Sequence, residues 1–126
     1  MEGGGALICY TEAMKLVEST ISHDELQAML NPEYGSLVKA VVDIEKNLLV
    51  VDAEMHVDEE TFLREQGSKR ESLWGINLYP QVTDSSWIEF DSMINLKPGL
   101  GNRTRSVDDP NIRERIIALV ESKVTS

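Results

Sequence analysis

The stretch from Val38 to Met55 constrains the fold most, because its apolar residues recur at every second position on both sides of a short polar break. A period of two is typical of paired antiparallel strands that bury one face. With Lys46-Asn47 as a two-residue turn, four apolar pairs share that face: Ile44–Leu49, Val42–Val51, Ala40–Ala53 and Val38–Met55. On the other face Lys39 then meets Glu54, a favourable cross-strand pair of opposite charges.

Two further strands are predicted between Leu73 and Leu96, in a segment that holds both tryptophans. Leu73–Pro80 alternates, with Trp74, Ile76 and Leu78 on one side, and Pro80 suits a strand end. Trp87–Leu96 alternates again, and we expect Ile88, Phe90, Ile94 and Leu96 to point inward.

Three helices alternate with the strands. An S-x-x-E capping box begins the first at Ser22, and Asn31-Pro32 ends it. Asp58 is predicted to cap Glu59–Gln66, and Asp109-Pro110 begins the last helix with proline at its favoured first position. Met14–Thr20 fits neither period cleanly and could form a short helix together with Thr11–Ala13. The resemblance carried by motifs later in the chain favours an edge strand there instead, which makes the order β-α-β-β-α-β-β-α. This indicates an α+β fold: a largely antiparallel sheet of four to five strands with helices on one face.

The chain of 126 residues is long enough for one domain with its own core. We expect residues 1–13, which contain a run of three glycines, to be a flexible extension, and residues 14–126 to be a single α+β domain. Cys9 is the only cysteine, which suits a reducing cytoplasm. No apolar run is long enough to cross a membrane, so no membrane partner is expected.

Charge is placed unevenly. The chain carries 12 basic and 22 acidic residues, and half of the basic ones lie in residues 97–126. Because an acidic protein repels nucleic-acid phosphates, no direct nucleic-acid partner is expected.

The outer face of the predicted sheet collects polar side chains. Its members are Asp52, Glu54, Asn77, Glu89 and Asp91, with His56 nearby. Carboxylates and an imidazole can perform acid–base chemistry, so His56, Glu89, Asp91 and Asn77 are the candidate catalytic residues. A charged, solvated outer face is the simpler interpretation, and we predict neither a metal site nor a cofactor.

The loop after the last strand carries the most suggestive segment. Asn102, Arg103 and Arg105 follow two glycines, and arginines can grip phosphate or carboxylate in a bidentate manner. They are the candidate ligand-binding residues for a small anion or a phosphorylated ligand. The alternative is that the arginines pair with nearby carboxylates, which we expect for Arg103, leaving Arg105 as the better ligand contact.

Three motifs carry a resemblance: LWGINLYP at Leu73–Pro80, IEFDSMIN at Ile88–Asn95 and GNRTR at Gly101–Arg105. In them the chain resembles a family of small uncharacterised prokaryotic proteins, catalogued as a domain of unknown function, from about Met14 to the C-terminus. The resemblance supports a fold and implies no activity.

Three hypotheses of function follow. The first is a small cytoplasmic binding or regulatory module that self-associates, because one open sheet face is a surface that oligomers commonly cover. The second is a hydrolase or phosphate-handling enzyme that uses the sheet acids and the Arg103/Arg105 loop. A third and weaker one is a partner that binds a basic protein in a nucleic-acid-linked complex.

Overall fold

The computed structural model describes residues 14–30 and 35–126. The extension predicted for residues 1–13 and the helix stop predicted at Asn31-Pro32 lie outside them.

Five antiparallel strands form the main sheet. Their bounds are Lys15–Val17 (β1), Val38–Asp43 (β3), Leu48–Val51 (β4), Leu73–Leu78 (β5) and Ile88–Glu89 (β6). Their order across the sheet is β1-β4-β3-β5-β6. A separate parallel pair joins Ile21–Ser22 (β2) to Val124–Thr125 (β7). The α+β class and the antiparallel sheet are therefore confirmed.

Three α-helices accompany the described strands: His23–Ala28 (α1), His56–Glu65 (α2) and Pro110–Lys123 (α3). The predicted capping box at Ser22 is present, and α3 begins at Pro110 as predicted, with Asp109 as its N-cap. The predicted cap at Asp58 is wrong, since α2 begins at His56 after Met55. Acidic residues are favourable anywhere in the first turn of a helix. Their presence therefore did not show which residue is the first of α2.

Apolar clusters cover both faces of the sheet, which corrects the placement of all helices on one face. One cluster, under α1 and α3, includes Leu26, Ala40, Val42, Leu49, Val51, Trp74, Ile76 and Ile116. The other, under α2, includes Val41, Val50, Phe62, Leu63, Leu73 and Ile94. The sequence VKAVVD of β3 explains why both faces are covered. Val41 points to the opposite face from Ala40 and Val42, so apolar residues must pack on that face too. Polar side chains occupy the part of this second face that lies beside α2.

The β3–β4 hairpin has a register two residues from the predicted one. Val42 lies opposite Leu49 and Ala40 opposite Val51, so the predicted pairs are wrong. The predicted buried face is right as far as Val51, whereas Ala53 packs in the other cluster and Met55 is exposed. Ile44 lies in a four-residue turn, and Lys39 lies opposite Asp52, whose amide donates to the Lys39 carbonyl (3.0 Å), and not opposite Glu54.

The strand predicted at Trp87–Leu96 is mostly not a strand. Only Ile88–Glu89 pairs with β5, and Met93–Asn95 forms a 3-10 turn. The Ser92 hydroxyl accepts from the Ile94 amide (3.2 Å) and caps this turn. The turn lies at the end of the polar part of the second face, where the chain forms a cavity.

Candidate functional site

A cavity of about 490 Å³ opens on the polar part of the second sheet face. We call it the sheet pocket. It is lined by Leu37, Lys39, Met55, His56, Val57, Asn77, Tyr79, Glu89, Asp91, Ser92, Met93, Ile94 and Arg105. The volume lies within the range of small-molecule sites.

A row of three polar residues crosses the floor of the sheet pocket. Lys39 on β3 lies directly opposite Asn77 on β5, and Asn77 lies directly opposite Glu89 on β6. Adjacent strands lie about 4.8 Å apart, so the row places a cation and an anion at its two ends with a neutral amide between them. The period of two in β5 and the short pairing of β6 produce this arrangement.

Glu89 is held in place by two neutral donors. Its Oε1 accepts from the Tyr79 hydroxyl (2.8 Å) and from Asn77 Nδ2 (2.9 Å). Burial, followed by the hydrogen bond to Glu89, raises the pKa of Tyr79, which therefore stays a donor at neutral pH. The carboxylate is thus oriented, and no residue in the described part of the chain donates a hydrogen bond to its Oε2.

His56, the first residue of α2, is buried against β5, the central strand of the row. Its Nε2 lies 2.8 Å from the Ile76 carbonyl oxygen, so Nε2 carries the proton in the neutral ring. Burial lowers the pKa of His56 below 6.5, against opposing effects of Ile76, Asp91 and Asn77. The imidazole is therefore uncharged at neutral pH, with its Nδ1 lone pair free to accept a proton.

The amide of Asn77 is only partly satisfied. Nδ2 donates to Glu89 and Asp91, but no donor in the described residues reaches the buried Oδ1. Buried acceptors of this kind are rare in native proteins. Hydrogen bonding to Asn77 favours the protonated form of His56.

Gly75 makes the close packing around His56 feasible. A Cβ at Gly75 would lie 2.6 Å from both Cβ and Oγ of Ser92 and 3.2 Å from Cδ2 of His56. The Asn95 side chain then pairs with the Gly75 backbone as a strand would, accepting from its amide (2.8 Å) and donating to its carbonyl (3.0 Å). Glycine inside the strand sequence LWGINL was the available signal, because it often marks a close approach.

An ion pair closes the far side of the sheet pocket. Arg105 Nε lies 2.8 Å from Asp91 Oδ1, and both side chains are about half exposed. The pair neutralises itself, and exposed pairs of this kind contribute little to stability.

The other two residues of the predicted anion site lie apart from the sheet pocket. The buried Asn102 is engaged within its own loop, since Nδ2 donates to the carbonyls of Asn95, Thr104 and Ser106 and Oδ1 accepts from the Asp108 amide. The Arg103 amide donates to Asp108 (3.1 Å). An anion site at Asn102, Arg103 and Arg105 stays a prediction.

Apolar side chains surround the mouth of the sheet pocket. Among the described residues, four large hydrophobic side chains are strongly exposed: Met55 (55%), Val57 (46%), Met93 (62%) and Leu100 (57%). The first three line the sheet pocket. We call Met55, Val57 and Met93 the apolar rim. Exposed apolar groups gathered at one opening are characteristic of binding sites.

A second cavity of about 460 Å³ lies beside Lys97 and Leu100. The buried Lys97 ammonium donates to the Ile94 carbonyl (2.7 Å) and lies 4.8 Å from the Trp74 ring centroid. Burial lowers the pKa of Lys97 to about 8. Since the amine is engaged by the protein, this cavity is a weaker candidate than the sheet pocket.

The structure brings His56, Asn77, Glu89, Asp91 and Arg105 together and leaves Asn102 and Arg103 outside. Sequence reasoning did not single out Lys39, Tyr79 or Ser92 as site residues. In the described part of the chain, no group of three or more His, Cys, Asp or Glu side chains is arranged around a metal position. No helix there has the length and apolar character needed to cross a membrane.

The family model described as Protein of unknown function (DUF5674) matches residues 15–123, which confirms the resemblance. No curated protein and no solved structure matches the chain.

Proposed function

The chain belongs to DUF5674, a family of proteins of unknown function, and we propose from the geometry of the sheet pocket that it binds a small polar organic ligand there. The observation that carries the proposal is the coincidence of the polar row with the apolar rim. Three of the four strongly exposed large hydrophobics in residues 14–30 and 35–126 surround this one cavity. Ligand sites combine apolar walls with a few placed polar groups in this way.

The apolar rim supports a ligand with an apolar portion. Methionine side chains are flexible and polarisable, and proteins use them on surfaces that adapt to a bound partner. Met55 and Met93 stand beside a floor that offers Lys39 and Glu89. A ligand with both polar and apolar groups satisfies both parts of the sheet pocket.

A screen of small polar compounds by thermal shift tests the proposal. A ligand that binds only the native state raises the melting temperature. We expect compounds that stabilise the parent protein to lose this effect in Met93→Lys, which places a charge on the apolar rim. Leu100→Lys is the matched control, because Leu100 is as exposed but lies outside the sheet pocket.

Two outcomes contradict the proposal. In one, no compound of the screen stabilises the protein. In the other, the stabilising compounds act equally on Met93→Lys and on the parent.

A second candidate function is hydrolysis with His56 as general base. The observation in its favour is a neutral imidazole whose Nε2 is already engaged by Ile76, with Asn77 favouring the protonated ring. Such an arrangement stabilises the imidazolium that forms when the base takes a proton from water. Glu89 lies in the same cavity and adds negative potential.

Hydrolysis of p-nitrophenyl acetate and p-nitrophenyl phosphate by the parent and by His56→Gln tests this candidate. A histidine base works above its pKa, so the rate should reach its plateau at a lower pH than for an ordinary histidine, since burial lowers the pKa of His56. Melting temperatures of both proteins establish that the variant is folded. Equal rates in the two folded proteins, or no rate in the parent, rule the candidate out for these ester classes.

The cytoplasmic location and self-association are also proposals. A single cysteine supports the first. Self-association through the apolar rim would compete with ligand binding, and light scattering distinguishes the two. A dimer that Met93→Lys dissociates and Leu100→Lys preserves would show that a second copy covers the rim.

A further inference from the structure

The charges around the sheet pocket divide into a paired set and an unpaired set. Asp91 and Arg105 form an ion pair with each other. Lys39 forms no ion pair with any described residue, although it lies opposite Asp52 in the hairpin. Glu89 accepts only from the neutral groups of Tyr79 and Asn77. Within residues 14–30 and 35–126, the sheet pocket thus offers one cation that forms no ion pair and one oriented anion.

The strand register fixes the spacing of the two residues that carry the unpaired charges. Lys39 and Glu89 lie on β3 and β6, with β5 between them, in one row of the register. Two strand spacings place their Cα atoms about 10 Å apart. Side chains of this length leave room between their charged ends for a small ligand that carries charges of both signs.

We propose that the ligand is amphoteric and apolar in part: a free amino acid or short peptide with an apolar side chain. This inference rests on the proposed function, because it names the class of ligand for the same cavity. The ligand carboxylate faces Lys39, its ammonium faces the free Oε2 of Glu89, and its side chain packs on Met55 and Met93. A cation or an anion alone would leave one end of the row unpaired.

Three compounds of similar shape separate the contributions that the two charges of the ligand make to binding. Phenylalanine carries both, 3-phenylpropionate lacks the ammonium, and phenethylamine lacks the carboxylate. The phenyl ring is kept in all three and suits a methionine rim. Isothermal titration calorimetry should give phenylalanine a dissociation constant roughly tenfold lower than either analogue, the size expected for one charged hydrogen bond.

Two variants assign each charge to its residue. Glu89→Gln should remove the advantage of phenylalanine over 3-phenylpropionate, and Lys39→Met should remove its advantage over phenethylamine. Glu121→Gln and Lys69→Met are the matched controls, since both side chains are exposed and outside the sheet pocket. Both controls should bind phenylalanine as the parent does.

The inference is overturned if either single-charge analogue binds as tightly as phenylalanine, or if none of the three binds. The first result would leave the sheet pocket as a binding site but would show that its ligand need not carry charges of both signs. The second also rejects the class, while the thermal-shift screen decides separately whether the sheet pocket binds anything. Loss of binding in the control variants would place the site elsewhere.

Discussion

Because Gly75 has no side chain, two side chains from other parts of the chain can pack closely against its backbone. Ser92 and His56 both pack against the position that a Cβ would occupy, and Asn95 replaces a neighbouring strand along the Gly75 backbone. The alternation of β5 predicted that Gly75 and Asn77 share a face. It did not predict what lies over Gly75, because Ser92 and Asn95 come from a turn whose shape depends on their own side-chain hydrogen bonds.

Gly75→Ala should destabilise the protein by roughly 1–3 kcal/mol, the usual effect of overpacking a tight site. The new Cβ would lie 2.6 Å from Ser92 and force the turn away from β5. Gly99→Ala is the control, because its Cβ meets nothing within 4 Å and its φ is not positive. Urea denaturation of the two variants and the parent measures the difference. Equal stability of Gly75→Ala and the parent would show that the turn containing Ser92 is not packed tightly against β5.

At the scale of elements, the sequence predicted the face that β3 and β4 bury under α1 and α3, but not which residues face each other. It also placed Met55 on that face, where the structure leaves it exposed. Registers two residues apart place the same side chains on the same face. The observed turn depends on Asp43, whose Oδ1 accepts from the amides of Glu45 and Lys46 (both 2.9 Å). A positive φ at Asn47 completes the turn. In the pattern of apolar and polar residues, a buried aspartate at a strand end looks the same as an exposed polar residue. This turn was therefore not predictable from that pattern.

The first turn of α2 holds a second buried acid. Glu59 Oε2 accepts from the Ala53 amide (3.0 Å), and no described group bonds to its Oε1. Burial raises the pKa of Glu59 well above 4.5. The folded state therefore holds a proton that the unfolded state releases above about pH 4.5, so this contribution to stability is complete at low pH and is lost as the pH rises through the raised pKa.

Glu59→Gln should remove that dependence on pH. Its amide oxygen can still accept from Ala53, and the variant has no proton to lose. Between about pH 4.5 and the raised pKa, we expect the parent to lose stability relative to the variant by up to about 1.4 kcal/mol for each unit that the pH rises. Urea denaturation at a series of pH values measures this, with the exposed Glu121→Gln as control. Parallel curves for the parent and Glu59→Gln would contradict the burial of a protonated Glu59.

At the scale of the whole molecule, one difference between the expected and observed fold creates the site. A sheet with helices on one face would leave a flat, solvated second face, as the sequence suggested. In the structure α2 covers part of that face, and the chain after β6 turns back over another part. The remaining polar area becomes a cavity. The alternation of the strands placed Asn77 and Glu89 on this face correctly, whereas the walls around them required the tertiary packing of α2 and the Ser92 turn.

The central claim is that the sheet pocket is a binding site and not merely a hydrated surface. Two-dimensional ¹H–¹⁵N NMR of labelled protein, titrated with stabilising compounds or phenylalanine, tests it most directly. We predict shifts centred on Lys39, Asn77, Glu89 and Met93, including the Asn77 side-chain amide, with little change around Lys97 and Leu100. Shifts confined to the Lys97 cavity, or spread evenly over the surface, would contradict the account.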